Sequence, residues 1–192
     1  MKTSSIRRVA GFTLVELLVS ISIMVLLAGL IVGGFAFVQD RQARETAKLQ
    51  IALLSRGIDE YRLDMGIYPV MPNANPTTPA QVRQNNNTLF QRLYRDGATD
   101  NSATIYVAEL NPDNNNQGWI TISGGTRYIT DPWGREYNYR SGTNEDGSPN
   151  PNAMNPDFDL WSNGKDGKTQ PGSSGSPYRA DHEHNLDDIR NF

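Results

Sequence analysis

The feature that most constrains this chain is an apolar run at residues 12–38, which follows a basic leader and carries a single charge, Glu16, near its start. At about 1.5 Å rise per residue the run makes a helix of roughly 40 Å, longer than the ~30 Å hydrocarbon core of a bilayer. Lys2, Arg7 and Arg8 precede it, so the positive-inside rule puts the N-terminus in the cytoplasm and the rest of the chain outside. A secretory signal peptide would have an apolar region of about 7–15 residues and a small-residue cleavage site. This run is longer and ends without an Ala-x-Ala site. A plain single-span anchor fits the hydropathy but leaves Glu16 unexplained. A carboxylate at the centre of a membrane helix costs about 2.5–3.5 kcal/mol on insertion scales, so an acid in this run requires a partner.

The helical pattern continues past the apolar run. Ala43, Ala47, Ile51, Leu54, Ile58, Tyr61 and Met65 follow one another at steps of three or four, while Arg41, Arg44, Lys48, Ser55, Asp59 and Arg62 occupy other faces. Gly66 and Pro69 mark the stop. The spacing predicts one helix from about residue 12 to about residue 65, apolar all round in its first half and amphipathic in its second. Gly29 and Gly33, four apart, form a small-xxx-small pair that permits close helix packing.

The remainder is rich in Asn, Asp, Gly and Pro and short of long apolar runs, which predicts a loop-heavy domain around a small core. The net charge of −3, with no basic block in this part, gives no sign of nucleic-acid binding. There is no cysteine, hence no disulfide framework, thiolate metal site or thiol nucleophile. Residues 72–87 read as loop by composition, 88–94 as a short helix, and 111–118 as an Asn-rich loop. Residues 119–122 and 127–129 are β-prone. Asp131-Pro132-Trp133-Gly134 reads as a turn, followed by Tyr137 and Tyr139 in strand alternation, with Trp133 expected to plug the domain against the long helix. Residues 157–162 alternate as a further strand. His182 and His184 are too few for a zinc site, and with no nucleophile motif near them they suggest no hydrolase. No enzymatic constellation is evident.

Gly11-Phe12-Thr13-Leu14-Val15-Glu16-Leu17-Leu18-Val19 resembles the processing and assembly signature of type IV pilins and type II secretion pseudopilins. Tyr61-Arg62-Leu63-Asp64-Met65-Gly66-Ile67-Tyr68-Pro69 is similar to the end of the pseudopilin helix. Asp131-Pro132-Trp133-Gly134-Arg135-Glu136-Tyr137-Asn138-Tyr139 resembles a segment of the major pseudopilin of type II secretion. The resemblance covers 11–69 well and the second half in patches; residues 70–128 match little.

It implies an α+β, type IV pilin-like fold, with a long N-terminal helix packed on a small antiparallel sheet with calcium-type loops. The implied organisation is a leader at 1–11, a transmembrane half-helix at 12–38, an amphipathic half at 39–66 and a periplasmic domain at 67–192. It further implies cleavage between Gly11 and Phe12 by a prepilin peptidase, N-methylation of Phe12, and pairing of Glu16 with the new amine, most readily on a neighbouring subunit. The implied partners are further copies in a homopolymer, minor pseudopilins and an inner-membrane assembly platform. The implied function is a periplasmic filament that drives protein export across the outer membrane. A surface type IV pilin, for adhesion, motility or DNA uptake, is the nearest alternative, and a membrane-anchored monomeric periplasmic domain the next.

Ser162-Asn163-Gly164-Lys165-Asp166-Gly167 and Asp187-Asp188-Ile189-Arg190-Asn191-Phe192 resemble the two segments that build the family's calcium site. That resemblance implies ligation by Asp166, by Asp187 or Asp188, and by the Asn163 backbone carbonyl. Asn163 stands where the family has leucine, and the insertion at 168–184 is long.

Overall fold

In the computed structural model the described residues are 12–94, 104–170, 172 and 178–192, apart from the side chains of 30–34 and 36. Gly11 and the leader lie outside them. The chain divides into two compact units, Met1–Arg41 and Gln42–Phe192.

One helix, α1 (Leu14–Met65), contributes to both units, as the periodicity predicts. In the second unit its inward face buries Ala47, Gln50, Ile51, Leu54, Ile58 and Tyr61. The predicted stripe ends there: Met65 is 45% exposed, because the helix stops at Met65 and no further turn shields it. Gly66 closes the helix in the left-handed region (φ +80°) and donates its N–H to the Arg62 carbonyl at 2.7 Å.

Helix α2 (Pro79–Tyr94) corrects the expected loop at 72–87 and lengthens the expected helix at 88–94. Its start is a capping box. Thr78 donates its N–H to Gln81 Oε1 at 3.2 Å, and Thr78 Oγ1 accepts from the Gln81 N–H at 3.4 Å, with Pro79 at the first helical position. Two short 3-10 turns, Ala108–Leu110 and Pro112–Asn114, precede and interrupt the expected loop at 111–118.

A hairpin follows, β1 (Ile120–Ser123) and β2 (Thr126–Ile129), antiparallel and joined by the two-residue turn Gly124-Gly125. A second, three-stranded antiparallel sheet has the order β3 (Asn138–Ser141), β4 (Phe158–Ser162), β5 (Ile189–Arg190). The strands at 120–129, at 138–141 and at 158–162 agree with the sequence to within a residue or two. The core joins the inward face of α1 to Leu89 and Leu93 of α2 and to Ile129, Tyr137, Tyr139 and Leu160 of the sheets. Trp133 only half fills its expected role: it is half-buried against this core, and Tyr137 reaches α1 instead, donating its hydroxyl to Gln50 Oε1 at 2.6 Å.

The asparagines that suggested a loop at 85–87 are what fasten α2 to the sheets. Asn86 donates to the carbonyls of Ile129 and Tyr137, both at 2.9 Å, and accepts from the Ile129 N–H at 2.7 Å. Asn85 donates to the Asn73 carbonyl at 2.8 Å, and Asn87 donates to the Arg127 carbonyl at 2.9 Å. Buried side-chain amides are tolerated only when satisfied in this way.

Candidate functional site

Two places hold the residues singled out by the sequence: the start of α1, and the loops beside β4 and β5.

At the start of α1, Thr13 and Glu16 cap the helix reciprocally. Glu16 Oε2 accepts from the Thr13 N–H at 2.9 Å and from the Thr13 hydroxyl at 2.7 Å, while Thr13 Oγ1 accepts from the Glu16 N–H at 3.3 Å. Glu16 is thus held over the helix N-terminus, where the macrodipole favours a negative charge. Thr13 was not singled out by the sequence analysis, although Thr-x-x-Glu ahead of an apolar run is a capping-box signal. Ser20 and Ser22 turn their hydroxyls back to the carbonyls of Glu16 and Leu18, at 2.7 and 2.8 Å. These hydroxyls therefore find their acceptors inside the helix. Everything else there is apolar and uncovered: Phe12 and Leu14 are each 80% exposed, and Val15, Leu18, Met24, Val25 and Leu26 are exposed too. Among the described residues no helix is long and apolar enough to cross a membrane.

At the other end, the Asp131-Pro132-Trp133-Gly134 turn organises the loop after β4. Asp131 Oδ1 accepts from the N–H groups of Trp133 and Arg135 at 3.0 and 2.9 Å. Asp131 Oδ2 accepts from the Ser162 hydroxyl at 2.5 Å, and the Ser162 oxygen accepts from the Gly164 N–H at 3.1 Å. Arg135 donates to the Gly164 carbonyl at 2.8 Å. Burial raises the Asp131 carboxyl above the usual carboxylate range, against the pull of these hydrogen bonds. Gly164 must be glycine: its φ is +61°, and a Cβ there would lie 2.3 Å from the Asp187 carbonyl oxygen. This close approach joins the two acidic segments.

The structure brings the loop of Asp166 against the segment of Asp187 and Asp188. The Asp166 N–H donates to Asp187 Oδ2 at 2.9 Å. Asp188 Oδ2 accepts from the hydroxyls of Thr169 and Tyr178, each at 2.8 Å, while its Oδ1 is buried without a hydrogen-bond partner. Burial pushes the Asp188 carboxyl up to about 6, and the negative charges of Asp187 and Asp166 add to the rise. Asn163 directs its side-chain oxygen to Asn138, 2.6 Å away, and so leaves only its backbone carbonyl for the role the resemblance implies. Among the described residues no group of three or more His, Cys, Asp or Glu is arranged to hold a metal ion by itself. His182 and His184 stack edge to face, with centroids 5.1 Å apart.

Residues 37–179 match the family described as type II secretion system (T2SS), protein G. That match covers the larger part of the chain. The chain belongs to this family of pseudopilins. Residues 6–32 match the prokaryotic N-terminal methylation motif, and that span contains Gly11, Phe12 and Glu16. The type II secretion system core protein G of Pseudomonas aeruginosa is 28% identical over 163 residues, covering 84% of this chain and 87% of the relative. Its counterpart in Aeromonas hydrophila is 28% identical over 140 residues, 73% of this chain and 91% of the relative. That of Vibrio cholerae is 26% identical over 141 residues, 70% and 73% respectively. The Asp131 turn, Asn163 and Asp166 fall inside the family match, whereas Asp187 and Asp188 lie beyond its end.

Proposed function

We propose that this pseudopilin is processed between Gly11 and Phe12, methylated on Phe12, anchored in the inner membrane by residues 12–38 with its second unit in the periplasm, and then stacked with further copies into a filament that drives export through an outer-membrane channel. The observation that carries this reading is the start of α1: a capped helix whose large apolar side chains find no cover among the described residues. Fully burying a side chain of that size stabilises by about 1.5–3 kcal/mol, so such a face belongs in lipid or against other copies. Each step uses the same residues. In lipid, the apolar run holds the subunit. Cleavage creates an amine at Phe12, and Glu16, already fixed over the helix start by Thr13, offers it a carboxylate. Pairing satisfies both charges when copies pack, whereas an unpaired buried carboxylate is strongly destabilising. A prepilin peptidase, minor pseudopilins and an assembly platform complete the machinery in this reading.

Calcium fits the C-terminal loops chemically. Asp188 Oδ1 lacks a partner and the negative charges of Asp187 and Asp166 add to the cost of ionising Asp188, so a divalent cation would favour its charged form. Asp166, Asp187, Asp188 and the Asn163 carbonyl would hold it, and it would tie β5 to the loop after β4.

The reading is tested by mass spectrometry of the protein from native membranes. A mature chain starting at N-methylated Phe12 is the expected result. An intact Met1, or cleavage near Val38, would return the chain to the anchored or secreted classes.

A further inference from the structure

A cavity of about 440 Å³ opens between the start of α2, the Asp131 turn and the loop after β4. Its charged lining is Arg83, Arg135, Lys168 and Glu136, three cations against one carboxylate. Arg83 is spent on Glu136, with Nε 2.8 Å from Oε1. Arg135 gives one N–H to the Gly164 carbonyl, and the Lys168 ammonium has no partner among the described residues. The cavity therefore retains donors and positive charge that its own walls do not use.

Elsewhere in the same unit, the turn between β3 and β4 presents the opposite charge. Glu145 and Asp146 are exposed at its tip. The tip is closed by its own hydrogen bonds: Gly147 N–H donates to the Asn144 carbonyl at 3.0 Å, and Asn144 N–H donates to the Ser148 carbonyl at 2.8 Å. Asp146 Oδ1 accepts from the Ser148 N–H and hydroxyl, at 2.9 and 2.6 Å, and neither bond uses Oδ2. A tip already ordered loses little conformational entropy on docking.

We propose that the Glu145-Asp146 tip of one copy docks into the Arg135–Lys168 cavity of the next. The occupant is a second copy of this chain because the two complementary patches are both its own. In the proposed contact each copy gives its tip to one neighbour and its cavity to another, and such a heterologous contact, where its rotation does not close a ring, repeats head to tail into an open filament. This rests on the filament reading above and adds to it a contact between periplasmic units, away from the apolar half of α1. Asp166 and Asp187, next to the cavity, oppose the incoming carboxylates; a cation bound between them would remove that opposition.

The chain has no cysteine, so an engineered pair reports without background. The test is the full-length double variant Asp146→Cys, Lys168→Cys, assembled in membranes with its secretion machinery and oxidised mildly. A non-reducing gel should show a ladder of dimers, trimers and higher species, absent from either single variant. Lys168→Glu should lower filament yield at least tenfold, and adding Asp146→Lys on the same chain should restore most of it. Filaments without a ladder, or Lys168→Glu assembling at the unmodified yield, overturn the contact while leaving the filament reading standing. Absence of filaments from the unmodified chain would overturn that reading and the contact with it.

Discussion

The two halves of α1 share one backbone geometry and differ in what surrounds them. From Phe12 to Val38 the described large apolar side chains are exposed, whereas from Ala47 to Tyr61 the inward side chains are buried and the outward face mixes Lys48, Arg56 and Asp59 with Leu49, Ala52 and Leu53. Among the described residues the first half has no element of its own unit packed on it; the second is covered by α2 and both sheets. Regular helix is thus the only structure shared, and its stability has separate sources. In the second half it comes from tertiary packing, as for most helices in water. In the first half, on the function proposed above, it comes from lipid or from other copies.

Substitutions should separate the two halves. The largest effect is expected for Glu16→Leu, which removes the one carboxylate of the first half: filament assembly should be lost, while the thermal transition of the second unit in detergent stays where it was. Assembly at the unmodified yield would break the comparison. Next, Leu54→Ala should destabilise the second unit by about 2–5 kcal/mol, since Leu54 is fully buried. Leu49→Ala, one turn away and 65% exposed, should change it by no more than about 0.5 kcal/mol. Denaturant titrations of both variants would show whether the core follows the inward face alone.

The smallest expected effect is a pH dependence. Burial raises both Asp131 and Asp159 above the carboxylate range of the unfolded chain. The folded state therefore holds these protons more tightly, so their contribution to stability is full below the unfolded value and lost as pH rises through the folded value. Acidifying from neutral through that window should stabilise the second unit, and Asp131→Asn should flatten part of the trend while keeping acceptors for the Trp133 and Arg135 amides. A melting curve that falls steadily with acid in both proteins would contradict this.

Much of the molecule is legible without coordinates because its signals are local. The periodicity of 43–61, the stop at Gly66, the Gly-Phe junction with Glu16, and the turn at Asp131 each depend on neighbours within a few residues. Thr13 belongs to the same class, since a threonine three residues before Glu16 and ahead of an apolar run is a local capping-box pattern. The acidic segments around Asp166 and Asp187 were also visible, but only the resemblance implied their meeting, since no local pattern shows that a Cβ-free Gly164 sits against a backbone more than twenty residues on.

What the sequence determined by itself, then, is the long helix with its change of character, the processing signature and the small β-rich domain. The tertiary structure alone decided that Asn85, Asn86 and Asn87 form part of a helix. Their side-chain amides favour loops in isolation because they compete with the local backbone. Here the sheets and the loop at Asn73 offer carbonyls that need donors, and the amides are held in the helix by long-range partners that no local pattern can reveal.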